Sequence, residues 1–337
     1  MEPTQPLASG PPRVVVLQGN VPPPGMAPVE RAANVLYVRE AELADALPGA
    51  DVLFVYDFLT EAVADAWPAA AADAPPWVHI ASAGVDRLLF PALVEGDTIV
   101  TNSRGVFDRP IAEYVLGLVL CFAKDLHTTL RLQAEGEWRH RETEPIADRR
   151  AVVVGTGPIG RAIGRALAAA GLRVSGVGRT ARSGDPDLGE VLPDDRLHEA
   201  VAEADYVVLA APLTDRTRGM IDRAALARMR PSARLINIGR GPLVVEDDLV
   251  AALRTGEIAG AALDVFVDEP LPSPSPLWDL PNVIVSPHMS GDIVGWREEL
   301  VRLFADNLDR RVDGRPLRNV VDKRLGYVGS GAPAASS

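Results

Sequence analysis

Three glycines at the first, third and sixth positions of one loop give this sequence its clearest chemical signal. Gly155, Gly157 and Gly160 follow an apolar segment, 151–154, and lead into a helical segment, 161–170. Gly155 permits a tight turn, Gly157 lets the backbone approach a pyrophosphate, and Gly160 lets the helix pack close to the strand. The amides at the helix N-terminus would bind the phosphates. The loop therefore predicts a dinucleotide site; a glycine-rich turn in an α/β fold is the alternative.

The residues after the next apolar segment, 172–177, bear on which dinucleotide binds. An acidic residue here usually binds the plain ribose hydroxyls. This chain has Arg179, Thr180 and Arg182, with no acid before Asp185. Both guanidinium groups could pair with a 2′-phosphate, to which Thr180 could donate a hydrogen bond. We therefore expect NADP(H) to be preferred over NAD(H); the alternative is that both arginines are solvated surface charges.

Four further segments place charged or small residues beside apolar stretches. They are residues 83–86 (Ala-Gly-Val-Asp), 237–241 (Asn-Ile-Gly-Arg-Gly), 263–270 (Leu-Asp-Val-Phe-Val-Asp-Glu-Pro) and 287–291 (Pro-His-Met-Ser-Gly). In this order, with the glycine loop ahead of the last three, the chain resembles the D-2-hydroxyacid dehydrogenase family. Within that family it is most similar to the glyoxylate/hydroxypyruvate reductase branch.

The resemblance implies a catalytic set of Arg240, Glu269 and His288. A planar guanidinium can bind a carboxylate and the adjacent carbonyl oxygen. Histidine suits the proton step because its charge changes near neutral pH, and Glu269 would fix its tautomer. Family position favours Glu269 over the neighbouring Asp268. The implied reaction is hydride transfer between NAD(P)H and a small 2-oxo or D-2-hydroxy acid. The alternatives are a structural ion pair for Arg240 and a packed core histidine for His288.

The resemblance also implies contacts for the two ligands. Cofactor contacts would lie on the glycine loop and at strand ends: Gly155, Gly157, Pro158, Ile159, Gly160, Arg179, Thr180, Arg182, Pro212, Thr214, Thr217, Ile238, Asp264 and His288. Asp264 matches the family residue that reaches the nicotinamide amide, with a strand-end cap as the alternative. Ala83, Gly84 and Val85 resemble a turn whose backbone amides bind the substrate carboxylate alongside Arg240; an ordinary turn is the alternative. No second ligand for His288 recurs at metal spacing, so we expect no metal.

The elements that must position these residues form two successive strand–helix arrays. Apolar β-branched runs predict strands at 14–17, 35–38, 52–56, 78–80 and 99–101, then at 151–154, 172–177, 206–209, 235–238, 261–265 and 283–286. Alanine- and leucine-rich patterns predict helices at 40–47, 60–72, 110–125, 158–170, 197–203, 223–228, 246–253 and 293–311. Such alternation indicates parallel sheets covered by helices.

We therefore expect an α/β protein of two Rossmann-like domains with parallel sheets. A flavodoxin-like substrate (catalytic) domain would comprise residues 1–106 and 291–325, and an NAD(P)-binding Rossmann domain residues 107–290. Residues 326–337, rich in glycine, alanine and serine, would be a disordered tail.

Composition narrows the partners. The 337 residues carry a formal net charge of −12, which argues against nucleic acid because phosphate backbones require clustered positive charge. Cys121 is the only cysteine, which excludes an intrachain disulfide and fits a reducing cytoplasm. No apolar run has the length of a membrane helix. We expect a cytoplasmic protein; the resemblance implies a homodimer through the cofactor domains, with residues 126–150 as an exchanging arm.

Two alternatives stay open. Other members of the family, such as phosphoglycerate, lactate or phosphite dehydrogenases, would share these residues, and only substrate profiling separates them. A nucleotide-sensing scaffold, similar to the corepressor relatives of these enzymes, could also keep the catalytic set without turnover.

Overall fold

The computed structural model describes residues 10–329. These residues divide into two compact units, one formed by residues 10–107 and 293–329 and the other by residues 108–292. The first unit is therefore built from both ends of the described chain. The sequence places domain boundaries after residues 106 and 290.

The first unit contains a five-stranded parallel sheet in the order β2-β1-β3-β4-β5. Its strands are β1 (Arg13–Leu17), β2 (Asn34–Val38), β3 (Val52–Val55), β4 (Trp77–Ile80) and β5 (Ile99–Asn102). Its helices are α1 (Ala27–Ala32), α2 (Glu40–Ala46), α3 (Ala62–Ala66), α4 (Pro91–Glu95) and α11 (Trp296–Val312). The continuous apolar runs of β1, β3 and β4 are buried along almost their whole length, as strands covered on both faces require.

The second unit contains an eight-stranded sheet in the order β13-β12-β11-β10-β6-β7-β9-β8. Its strands are β6 (Arg150–Val154), β7 (Arg173–Gly178), β8 (Arg182–Asp185), β9 (Gly189–Pro193), β10 (Tyr206–Leu209), β11 (Arg234–Asn237), β12 (Gly260–Leu263) and β13 (Val283–Val285). Its helices are α5 (Asp108–Ala123), α6 (Leu126–Glu135), α7 (Pro158–Ala169), α8 (Leu197–Ala202), α9 (Arg223–Leu226) and α10 (Glu246–Thr255). All pairings are parallel except that of β8 with β9.

The β8–β9 hairpin is absent from the sequence prediction. Residues 182–193 contain Gly184, Pro186 and Gly189 and lack an apolar run of strand length, so local pattern favours a loop. The strands form because β9 pairs with the edge of β7, opposite Gly176, Val177 and Gly178. This pairing places Asp185 in the interior of the unit.

Two other expectations about the first unit are wrong. The predicted helix 60–72 is only the short α3 and a separate 3₁₀ turn at Ala71–Asp73. Pro68 separates them, and Trp67 is extended, with φ −65° and ψ 133°, because the residue before a proline avoids helical angles.

The predicted disordered tail also begins too early. Residues 330–337 lie outside the described residues, but Tyr327 pairs with Asp322 in a β-bridge and Val328 is buried in the core of the first unit. An apolar side chain that finds a packing site stays ordered despite its glycine neighbours. Along residues 10–329, no helix has the length and apolar character needed to cross a membrane.

Candidate active site

The glycine loop of the second unit has the geometry that its three glycines predict. Gly155 has φ +110°, and a Cβ there would lie 2.5 Å from the carbonyl oxygen of Ala210. A Cβ on Gly160 would lie 1.9 Å from the carbonyl oxygen of Gly155. Gly157, the N-cap of α7, has nothing within 4 Å of its Cβ position. Two glycines are thus required by packing, whereas Gly157 faces open space beside the helix N-terminus. The pyrophosphate contact expected there stays a prediction.

The residues that follow β7 are basic, and the nearest acidic residue, Asp185, already forms ion pairs with two arginines. Arg179 and Thr180 are exposed. Arg182 begins β8, and its Nε lies 3.1 Å from Oδ2 of Asp185. The two terminal nitrogens of Arg161 also bind the Asp185 carboxylate, at 2.9 and 2.8 Å.

Asp185 therefore has a structural role within the second unit. Burial works to raise its pKa, but hydrogen bonds from Arg161, the Asp187 amide and Arg182 outweigh it and lower the pKa to about 2. An ionised, buried carboxylate with this many donors ties the β8–β9 hairpin to α7.

The loop after β10 is held by its own hydroxyls. Oγ1 of Thr217 donates to the carbonyl of Pro212 at 2.7 Å, and the amide of Thr214 donates to Oγ1 of Thr217 at 2.8 Å. Ile238, just after β11, is buried. These four predicted cofactor residues lie at the carboxyl ends of β10 and β11, the edge at which open α/β sheets bind ligands.

Arg240 follows β11 on a loop that Asn237 organises. The Asn237 side chain donates to the carbonyl of Arg240 at 2.9 Å and accepts from the amide of Gly239 at 3.1 Å. A Cβ on Gly239 would lie 2.8 Å from Cδ1 of Leu243, so glycine relieves local crowding. The Arg240 guanidinium donates to the carbonyl of Gly239 at 2.8 Å.

Gly241 has a role that the sequence reading missed. A Cβ there would lie 1.9 Å from the carbonyl carbon of Phe266. The Arg240 loop and the segment that leads to Glu269 are therefore in backbone contact, which only glycine permits. The clue in the sequence is a glycine directly after a candidate catalytic arginine.

Glu269 and His288 form a hydrogen-bonded pair. Nδ1 of His288 lies 2.8 Å from Oε2 of Glu269, and Oε1 accepts from the amide of Phe266 at 2.9 Å. Burial works to raise the pKa of Glu269, but the bonds from His288 and Phe266, with the charges of His288 and Arg240, lower it. Glu269 is therefore ionised, and it fixes Nδ1 of His288 as the donor nitrogen, leaving Nε2 for chemistry.

Asp264 lies at the end of β12 and is buried. Its carboxylate accepts from Oγ of Ser286 at 2.7 Å and from the amides of Met289 and Ser290 at 3.0 and 2.9 Å. Asp264 therefore caps the end of β12, which is the alternative role given for it in the sequence analysis. The nicotinamide contact stays a prediction.

The remaining predicted residues belong to the first unit. The carbonyl of Ala83 accepts from the side chain of Asn102, and that of Gly84 accepts from Oγ of Ser82, both at 2.6 Å. Val85 is buried in the core. The turn is thus held by neighbouring polar side chains, and its role toward a substrate stays a prediction.

Comparison with known proteins identifies the family. The sequence model of the "D-isomer specific 2-hydroxyacid dehydrogenase, NAD binding domain" matches residues 116–290. Glyoxylate/hydroxypyruvate reductase B of Pectobacterium carotovorum is 34% identical over 250 residues, 72% of this chain and 78% of the relative.

Solved structures extend the similarity to the first unit. A D-isomer specific 2-hydroxyacid dehydrogenase from Xanthobacter autotrophicus, in complex with NADPH and MES, has a TM-score of 0.78 and 31% identity, covering 94% of this chain and all of that one. An NADPH-dependent glyoxylate/hydroxypyruvate reductase from Sinorhizobium meliloti, in complex with NADP and sulfate, has a TM-score of 0.81 and 28% identity over 94% of this chain. This chain therefore belongs to the D-isomer specific 2-hydroxyacid dehydrogenases, which are NAD(P)-dependent oxidoreductases.

Proposed function

We propose that this protein is a glyoxylate/hydroxypyruvate-type reductase in which Arg240, Glu269 and His288 act on a small 2-oxo acid. The observation that carries the proposal is the pair formed by His288 and Glu269, at 2.8 Å, in the same unit as the glycine loop. A proton donor oriented by a carboxylate is what reduction of a ketone requires of the protein.

Each of these residues has a separate role in the proposed reduction. A bound nicotinamide cofactor supplies the hydride. His288 donates the proton from Nε2 to the carbonyl oxygen of the substrate, while Glu269 stabilises the charged imidazole through Nδ1. Arg240 binds the substrate carboxylate, since its guanidinium can make two parallel hydrogen bonds. Ala83, Gly84 and Val85 are proposed as a second carboxylate-binding element through their backbone amides.

We further propose a preference for NADP(H). Arg179 and Thr180 are exposed directly after β7, where an acid would otherwise bind the ribose. Asp185 is bound by Arg161 and Arg182, which leaves the β7 end net basic. The bond to Asp185 orients Arg182, so Arg179 and Thr180 are the primary 2′-phosphate ligands in this proposal and Arg182 assists them.

The proposed assembly is a cytoplasmic homodimer. Helix α6 and the irregular segment 136–149 that follows it present Leu130, 65% exposed, and Trp138, fully exposed. Exposed large apolar side chains on this segment support a surface that a second copy covers. Sedimentation velocity tests this, and a monomer at micromolar concentration would contradict it.

The deciding experiment is a 340 nm assay of purified protein with NADPH and NADH against glyoxylate, hydroxypyruvate, pyruvate, phenylpyruvate and 3-phosphohydroxypyruvate. Turnover of glyoxylate or hydroxypyruvate, faster with NADPH, is expected. His288→Asn should abolish turnover, although the variant should still bind NADPH. Faster turnover of another acid would assign the chain to another branch, and tight cofactor binding without turnover would favour the sensing scaffold.

A further inference from the structure

The carboxylate of Asp264 is surrounded by the turn that carries His288. Oδ1 accepts from Oγ of Ser286 at 2.7 Å and from the amide of Met289 at 3.0 Å, and Oδ2 accepts from the amide of Ser290 at 2.9 Å. Asp264 is only 1% exposed. Its three donors precede and follow His288 in the chain, so one side chain ties together both sides of that residue.

His288 itself has an unusual backbone. Its φ is +50°, in the left-handed region that residues other than glycine rarely adopt and that costs on the order of 1 kcal/mol. The amide of His288 donates to the main-chain carbonyls of Asp264 and Ser286, at 2.8 and 3.1 Å. A strained conformation of this kind persists only where its surroundings determine it.

We propose that Asp264 is a positioning residue, whose carboxylate holds residues 286–290 in the turn that keeps His288 left-handed and its Nδ1 on Glu269. The proposal rests on the proposed function, because it matters only if His288 transfers the proton. It is separate from the nicotinamide contact that the resemblance implies, because Oδ2 accepts only the amide of Ser290 from the turn and keeps an acceptor position for a second donor.

The chemistry of the site requires a carboxylate. Asp264 accepts on both oxygens, and two of its donors are backbone amides that cannot rotate away. In Asp264→Asn the side-chain NH2 group would face one of these donors, the amide of Ser290 or that of Met289, and leave it unsatisfied in a buried place. The turn should then relax and His288 should leave its position beside Glu269.

The test compares Asp264→Asn with the wild-type protein in the reductase assay. We expect kcat to fall about 100-fold, as a misplacement of about 1 Å can cause, with the Kd for NADPH unchanged. Replacing NADPH by its thionicotinamide analogue should lower the rates of both proteins by the same factor, because the variant loses rate through the displaced His288 and its side-chain amide can still contact the nicotinamide. Ser286→Ala, which removes one donor and keeps the carboxylate, should lower kcat by a smaller factor.

The controls separate the possible failures. An Asp264→Asn variant with weaker NADPH binding and an altered response to the analogue would assign the lost rate to the nicotinamide contact and overturn the proposal, as would unchanged kcat in both variants. If Asp264→Asn does not fold, Ser286→Ala decides alone. Turnover by His288→Asn would instead refute the proposed function, because that variant removes the proton donor.

Discussion

At the scale of single residues, Arg240 has a backbone held by hydrogen bonds and a guanidinium group whose charge acts on the pair formed by Glu269 and His288. Asn237 holds both sides of the Arg240 loop through its amide group, and Gly241 brings this loop against Phe266. The charge of Arg240 contributes to the lowered pKa of Glu269. The same local packing therefore sets the place of the proposed carboxylate anchor and the ionisation of the residue that orients His288.

Replacement of Arg240 should separate its geometry from its charge. Arg240→Ala is expected to cost about 2–5 kcal/mol in kcat/KM for a 2-oxo acid, the usual loss when one partner of a buried charged hydrogen bond is removed. Arg240→Lys should recover part of this loss, because it keeps the charge but not the planar fork. Steady-state kinetics measure both variants, with NADPH affinity as the control. Near-normal kcat/KM in Arg240→Ala would remove the residue from the mechanism.

At the scale of elements, the two glycines Gly157 and Gly160 at the β6–α7 junction have different structural roles. A Cβ on Gly160 would collide with backbone at 1.9 Å, whereas one on Gly157 meets nothing within 4 Å. Gly160 is therefore required by packing within the fold, whereas Gly157 is required only if a ligand binds against the loop. A matched pair of alanine substitutions can therefore distinguish packing from ligand binding.

Gly160→Ala should destabilise the second unit by about 1–3 kcal/mol, the usual cost of overpacking, and should weaken cofactor binding as a consequence. Gly157→Ala should cost less than about 1 kcal/mol, mostly through poorer helix capping, yet should weaken NADPH binding strongly because the methyl group would occupy the place proposed for the pyrophosphate. Thermal unfolding and fluorescence titration measure the two effects. Wild-type NADPH affinity in Gly157→Ala would show that the pyrophosphate does not bind there.

The elements that carry a strong apolar pattern could be predicted from sequence, and those created by pairing could not. Strands such as β6 and β10 are runs of buried β-branched and apolar residues, so their positions follow from composition alone. The β8–β9 hairpin has no such pattern and depends on the free edge of β7.

The site divides in the same way. The pairing of His288 with Glu269 was expected from residue types in a recognisable order. The hydrogen bonds that Ser286, Met289 and Ser290 donate to the Asp264 carboxylate join residues more than twenty positions apart in the sequence. Hydrogen bonds of this kind leave no periodic trace in a sequence, because they need only a favourable turn at each end.

At the scale of the whole molecule, the return of the chain from the second unit completes the core of the first. Helix α11 brings Phe304 against Phe54 of β3, with ring centroids 4.1 Å apart. His79 lies in the same aromatic cluster, 5.5 Å from Phe304, and is fully buried. The stability of the first unit therefore depends on residues separated by more than two hundred positions, with an ionisable group among them.

His79 should make this core sensitive to acid. Its Nδ1 lies 2.8 Å from Oγ1 of Thr101, which also accepts from Nε1 of Trp77, so the Thr101 hydroxyl donates to a neutral ring. Burial lowers the pKa of His79 from 6.5 to about 3. The unfolded chain then binds a proton below pH 6.5 that the folded chain does not. The stabilising contribution of the neutral ring is thus complete above pH 6.5 and is lost as the pH falls from there toward 3, by up to about 1.4 kcal/mol per pH unit.

The matched control is His79→Gln, which keeps a polar side chain but has no proton to gain in this range. Between pH 7.5 and pH 5.5, the free energy of unfolding of the wild-type first unit should fall by about 1.4 kcal/mol more than that of the variant. Urea unfolding followed by tryptophan fluorescence reports on this unit through the buried Trp77. The difference isolates His79 because every other titrating group is common to both proteins. Equal losses in the two proteins would mean that the imidazole gains its proton without leaving the core, and that acid acts on the fold elsewhere.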